Sequence, residues 1–153
     1  MHSGSLPSLH YPFGLHLDAH RNPYEQQIED EISRWLDKEY RFLSVAQREY
    51  YWKCRFGMIS SCFYPKASYQ ALTVGARLVV LLFIHDDYTD NYSISELRSY
   101  LLKSEAIMAG HPVPYEKGDM LHQFILFKNA LQPLVPVEWM RRWNYYLNYF
   151  YEG

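Results

Sequence analysis

The sequence predicts an all-α protein, a helical bundle, and three observations carry that expectation. Apolar residues recur at three- and four-residue spacing in successive stretches from residue 22 onward, which is the period of a helix face. Most of these stretches begin at Asn, Ser or Asp, or end at Gly or Pro, the residues that start and stop helices. No run of alternating residues bounded by turn signals competes with them. A chain of 153 residues with 48% hydrophobic and 21% charged side chains is globular in composition and long enough for one core. One domain, or one piece of a domain, is expected over residues 22–153, behind an irregular arm over residues 1–21.

The arm holds two prolines, two glycines and four of the seven histidines without helical periodicity. His2, His10, His16 and His20 lack the i, i+4 spacing on a helix that a zinc site wants, apart from the weak pair His16 and His20. Asn22 and Pro23 then mark a helix start, an N-cap followed by proline at the first helical position. The helix they open runs to about Phe42, with Ile28, Ile32, Trp35 and Leu36 as its apolar stripe. Glu25, Glu29, Asp30 and Glu31 suit the helix dipole and read as a solvated face.

A second helix is expected from about Val45 to Tyr64, ending before Pro65. Trp52, Phe56, Ile59 and Phe63 step along one of its faces, as core or, for Phe56 and Phe63, as the lining of a ligand cavity. Gly57 in mid-helix costs about 1 kcal/mol against alanine, which points to close helix packing or a bend. The third helix spans about Ser68 to Asp90, and Ser93 to Glu96 is a capping box that opens a fourth, stopped at Gly110. A fifth covers about Asp119 to Leu131, and a last one runs from about Val137 with Trp139, Trp143, Tyr146, Leu147 and Phe150.

Composition excludes several function classes. A net charge of -2 with both signs scattered gives no basic stripe of the kind that binds nucleic acid. The near-apolar run Leu78–Ile84 is far shorter than the roughly 20 residues that cross a bilayer, so no membrane span is expected. The first residues show no basic n-region followed by an apolar h-region, and no secretory signal is expected. Cys54 and Cys62, placed inside one helix, then read as reduced thiols of a cytoplasmic protein. Aromatic residues make up 18% of the chain, 15 of them Tyr. Such a content serves a core rich in large side chains, or a cavity whose ring faces stabilise a positive charge.

The candidate site is the stretch LVVLLFIHDDYTDN, where an apolar run ends in Asp86, Asp87 and Asp90. On a helix, Leu72, Ala76, Val79, Phe83, Asp86 with Asp87, and Asp90 share one face. A helix C-terminus is already partly negative, so three aspartates there repel the dipole and one another. Hard oxygen ligands one turn apart suit Mg2+, held by one or two carboxylates plus water and substrate phosphates. The alternative is a cluster that merely solvates a helix end. An EF-hand loop starting at Asp86 fails, because Tyr88, Asn91 and Leu97 stand where an Asp or Asn, a glycine and the bidentate Glu belong.

FIHDDYTD resembles the aspartate-rich DDxxD motif of class I terpene synthases, with the aromatic Phe83 three residues ahead of it. HRNPYEQQIEDEISRWL is similar to the first helices of that family, and FGMISSCFYPKASYQALTVGARLVVLLFIHDD to its run into the metal-binding helix. The resemblance covers residues 6–153 and is to the N-terminal half of a microbial-type terpene cyclase. It implies a cluster of three Mg2+ ions in the complete enzyme, with Asp86 as principal ligand and Asp90 in support. Asp87 would instead hydrogen-bond basic groups that close the site on substrate. Phe83, Phe56, Phe63 and Val79 are the candidates for the substrate cavity. The implied chemistry is departure of diphosphate from a linear prenyl diphosphate, farnesyl diphosphate first, and cyclisation of the carbocation in a dry, aromatic-walled cavity. Prenyl diphosphate synthases share the motif but follow it with a closely spaced Arg pair, and here Asp90 is followed by NYSISELRS.

A complete enzyme of this kind is much longer, and its second metal motif is missing here. Asn148 and Glu152 stand at i, i+4, yet Tyr149–Tyr151 leaves no hydroxyl at the spacing that motif needs. The chain is therefore expected to be a truncated portion, inactive by itself, with a non-catalytic helical fragment that binds partners or ligands as the alternative. Such a fragment would leave apolar faces open and associate through them, as a homodimer.

Overall fold

The structure, a computed structural model, describes residues 20–152, and at residues 144 and 147–152 the backbone alone. His2, His10 and His16 of the arm, and the Asn148 and Glu152 side chains weighed for a second metal motif, lie outside the described residues. Seven helices follow one another: α1 (Glu25–Lys38), α2 (Val45–Lys53), α3 (Phe56–Phe63), α4 (Tyr69–Thr89), α5 (Ile94–Ala109), α6 (Met120–Leu131) and α7 (Val137–Glu152). A 3-10 turn at Gln132–Leu134 joins the last two. Every regular element among the described residues is helical, as the periodicity predicts.

α4 is the centre of the packing, against α1, α3 and α6, while α5 packs on α6 and α7. Leu72, Ala76, Val79, Val80 and Ile84 of α4 meet the buried stripe Ile28, Ile32, Trp35 and Leu36 of α1 in one core with Phe124, Phe127 and Leu131 of α6. By length and composition α4 could cross a membrane, with a mean hydropathy of 1.2 over its best window. The unbroken apolar run Leu78–Ile84 is shorter because Arg77 precedes it, whereas a window of that size dilutes Arg77 and the polar first turn. The core helix of a folded domain passes the same test, and 44% of that window is buried inside this one.

The α1 start differs from the sequence expectation. The helix begins at Glu25 rather than at Pro23, and it ends at Lys38 rather than near Phe42. Asn22 is used differently. It is 1% exposed, accepts the Tyr24 N–H at 3.1 Å, and donates to the carbonyls of Tyr64 and Ala67 at 2.9 and 2.8 Å. Pinning the turn before α4 takes precedence over capping the first turn of α1. Nor is the acidic face of α1 simply solvated. Glu29 takes Arg55 Nε at 2.9 Å and the Met58 N–H at 3.1 Å, Glu25 takes the Ser61 hydroxyl at 3.1 Å, and Glu31 takes the Tyr69 hydroxyl at 3.1 Å. These carboxylates dock α1 onto α3 and α4.

The expected long helix from Val45 to Tyr64 is two helices, broken at Cys54 and Arg55. Arg55 takes the left-handed conformation, φ 57°, which costs a residue with a Cβ and needs outside support. Its contacts with Glu29 and Glu25 supply that support. The break ends the continuous stripe: Phe56 is 1% exposed, but Trp52 is 57% and Phe63 66% exposed. Gly57 sits on α1, where an added Cβ would lie 2.7 Å from Glu29 Cγ and 2.9 Å from its backbone nitrogen. The glycine therefore marks both features its sequence position suggested, a close approach beside a bend.

Candidate functional site

Ser68 caps α4 by accepting the Ala71 N–H at 3.3 Å, and the helix then runs for 21 residues to Thr89, with Asp90 as its C-cap. Its buried stripe fixes the roll of the helix, and with it the direction of the last turn. There Asp86, Asp87 and Asp90 are all exposed. Among the described residues no Lys or Arg forms an ion pair with any of the three. Nor do three or more His, Cys, Asp or Glu side chains group tightly enough there to hold an ion unaided. Asp86 and Asp90, one turn apart, form the hard-oxygen pair that suits a cation sharing its other positions with water and substrate oxygens.

Asp87 has a partner that sequence spacing does not show. The Tyr51 hydroxyl on α2 donates to its Oδ2 at 2.6 Å across 36 residues of chain. Tyr51 is 4% exposed, and burial together with this bond to a carboxylate pushes its phenol well above the ordinary range. The partner is a phenol where the resemblance leads one to expect a basic group. From Tyr51 a row of rings leads back to α4, with Phe56 stacked on Tyr51 at 6.3 Å and Phe83 tilted against Phe56 at 5.2 Å. Phe56 is buried and Phe83 half exposed, so the row runs from the core to the surface. Val79, one turn before Phe83, is 5% exposed and belongs to the core. Phe63 stands apart from the row, its ring edge-on to Tyr64. A cleft of about 380 Å³ between α1 and α2, lined by Leu36, Val45, Arg48 and Trp52, does not reach these residues.

Behind the aspartates lies a second group of rings. Tyr88 contacts Phe42, Tyr92 and Tyr100 at 5.4, 5.7 and 6.1 Å. His85, 7% exposed, sits against Tyr100 and Phe124, and burial holds its pKa below the usual histidine value while Asp86 pulls the other way. Tyr88 and Tyr92 stand four residues apart, a weak signal in the sequence; the contacts to Phe42 and Phe124 leave none.

The chain that carries this acidic helix end, aromatic flank and all-α core is similar to terpene synthases. More particularly, it is similar to the N-terminal part of fungal sesquiterpene synthases. One from Postia placenta is 28% identical over 108 residues, covering 67% of this chain and 31% of the relative. Another from Galerina marginata is 30% identical over 89 residues, 58% of this chain and 26% of the relative. The Delta(6)-protoilludene synthase of Armillaria gallica is 29% identical over 80 residues, 52% of this chain and 23% of the relative. The chain thus spans less than a third of the length of these relatives. No family model matches the chain, and no solved structure matches it.

Proposed function

We propose that the chain is the N-terminal portion of a Mg2+-dependent terpene cyclase that ionises a linear prenyl diphosphate, farnesyl diphosphate first, and cyclises the carbocation. The observation that carries this conclusion is the exposed trio of aspartates at the end of the central helix, in a chain similar to sesquiterpene synthases. Asp86 would be the principal ligand and Asp90 the supporting one. Bound Mg2+ would neutralise charge growing on the departing diphosphate. The carbon–oxygen bond breaks with its electron pair going to diphosphate, and a final proton loss gives the hydrocarbon. Phe83, with Phe56 behind it, would turn ring faces toward the cation and keep water from it.

The second metal motif belongs, on this proposal, to chain outside the 153 residues, and these residues alone are inactive. Exposed Leu82, Ile94 and Leu102 on α4 and α5 would then meet a second copy of the chain, which sedimentation at rising concentration tests. The alternative is a non-catalytic helical fragment that binds partners or ligands. The deciding experiment is intact mass and solution size, followed by Mg2+-dependent release of pyrophosphate from geranyl, farnesyl and geranylgeranyl diphosphate, for this chain and for a version extended to the relatives' length. Release with a cyclic hydrocarbon from the extended version supports the cyclase. An elongated diphosphate when isopentenyl diphosphate is added as co-substrate would make it a prenyl transferase, and no release from either version would leave the binding fragment.

A further inference from the structure

We infer that Tyr51 is a positioning residue of the metal site, acting through Asp87; the inference rests on the metal reading of the aspartates given above. Its hydroxyl donates to Asp87 Oδ2 at 2.6 Å, the length of a charge-assisted O–H···O⁻ bond. The donor is held by two rings, stacked on Phe56 and edge-on to Tyr50 at 5.3 Å, and is 4% exposed. Behind it, the left-handed turn at Arg55, tied to Glu29, breaks the helix after α2.

The side chains of Asp86 and Asp90 accept no hydrogen bond among the described residues, whereas Asp87 is oriented from outside its own helix. With Oδ2 committed to the phenol, Asp87 would keep Oδ1 as an acceptor toward an ion that Asp86 and Asp90 would hold. Partners of this kind, one step removed from the ion, typically affect metal affinity by 10- to 100-fold. Phenylalanine at position 51 keeps the ring row and removes the hydroxyl alone, so packing and positioning separate.

The test is Mn2+ binding followed by electron paramagnetic resonance, with inorganic pyrophosphate present, on the chain and its variants. Tyr51→Phe should raise the Mn2+ dissociation constant about tenfold with an unchanged circular dichroism spectrum. Asp87→Ala, which removes the acceptor at an exposed position, should lose at least as much, and adding Tyr51→Phe to it should change nothing further. Equal affinity for the chain and Tyr51→Phe, or for the chain and Asp87→Ala, overturns the inference while leaving the metal site standing. A Tyr51→Phe effect that persists in the Asp87→Ala background overturns it too. No Mn2+ binding by the unaltered chain overturns the metal site itself, and the inference with it.

Discussion

Arg77 on α4 grips Glu39, just past α1, through two bonds, Nη1 to Oε2 at 2.8 Å and Nη2 to Oε1 at 3.2 Å. Its guanidinium carbon lies 4.1 Å over the Trp35 ring. The Glu39 carbonyl in turn accepts Gln123 Nε2 at 2.9 Å, so α1, α4 and α6 meet at this one residue. The partners are 18% and 27% exposed, between a surface pair and a buried one. Arg77→Ala should lower stability by about 1–2 kcal/mol, combining a modest ion pair with the lost ring contact. Arg77→Lys should recover less than half, because an ammonium offers neither the fork nor the flat face. Urea unfolding of the three proteins decides it, and equal midpoints would mean that the grip is ornamental.

Gly57→Ala sets two effects against each other. Alanine gains about 1 kcal/mol of helix propensity. Its Cβ, however, would lie 2.9 Å from the Glu29 backbone nitrogen, and backbone cannot swing aside as a side-chain tip can. Overpacking of this kind costs about 1–3 kcal/mol. The cost should win, and thermal melting should show a lower midpoint; a higher one would mean that α1 and α3 separate freely.

Tyr40, Tyr51 and Tyr92 all have phenols raised above the ordinary value, each chiefly by burial. A raised pKa means that the folded state keeps a proton the unfolded state has lost. The stabilisation is therefore complete below about pH 10, the unfolded value, and disappears as pH climbs from there toward the folded values. Tyr40 is 3% exposed, and Arg77 beside it opposes the upward shift without cancelling it. Urea midpoints measured from pH 8 to 11 should fall steeply at the alkaline end, and Tyr40→Phe should make the fall shallower. A slope unchanged in that variant would clear Tyr40 of any part in it.

The elements most legible in the sequence are those whose ends carry their own chemistry. Ser68 and the Ser93–Glu96 capping box place the starts of α4 and α5, and Gly110 in its left-handed conformation, φ 93°, ends α5. The break between α2 and α3 had no such mark. Trp52, Phe56, Ile59 and Phe63 keep helical spacing straight through it, and Arg55 is neither Gly nor Pro. What forces the break is tertiary: Glu29, 26 residues away, holds Arg55 while Gly57 lies against α1. The site divides along the same line. Asp86, Asp87 and Asp90 were visible because helix period alone puts them at one end of one helix. Tyr51 was not, because a bond across 36 residues has no period.

Asp86→Asn should raise stability while lowering any metal-dependent property, and that opposition of signs separates a site from a solvated helix end. Asp86 lies in the last turn of α4, where the carbonyl ends of the helix are already negative, with Asp87 and Asp90 beside it. No cation among the described residues relieves the repulsion. Removing one such charge near a helix C-terminus is worth about 0.3–1 kcal/mol. Asparagine keeps the shape, so the thermal midpoint should rise by a degree or more, and more at low salt than at high, where screening weakens the repulsion. Added Mg2+ should stabilise the original chain and close much of the gap, because an ion bound to the folded state alone contributes through mass action. A midpoint that falls in Asp86→Asn would show the carboxylate to be structural. A midpoint that rises by the same amount with and without Mg2+ would leave three charges on a helix end and no ion to hold.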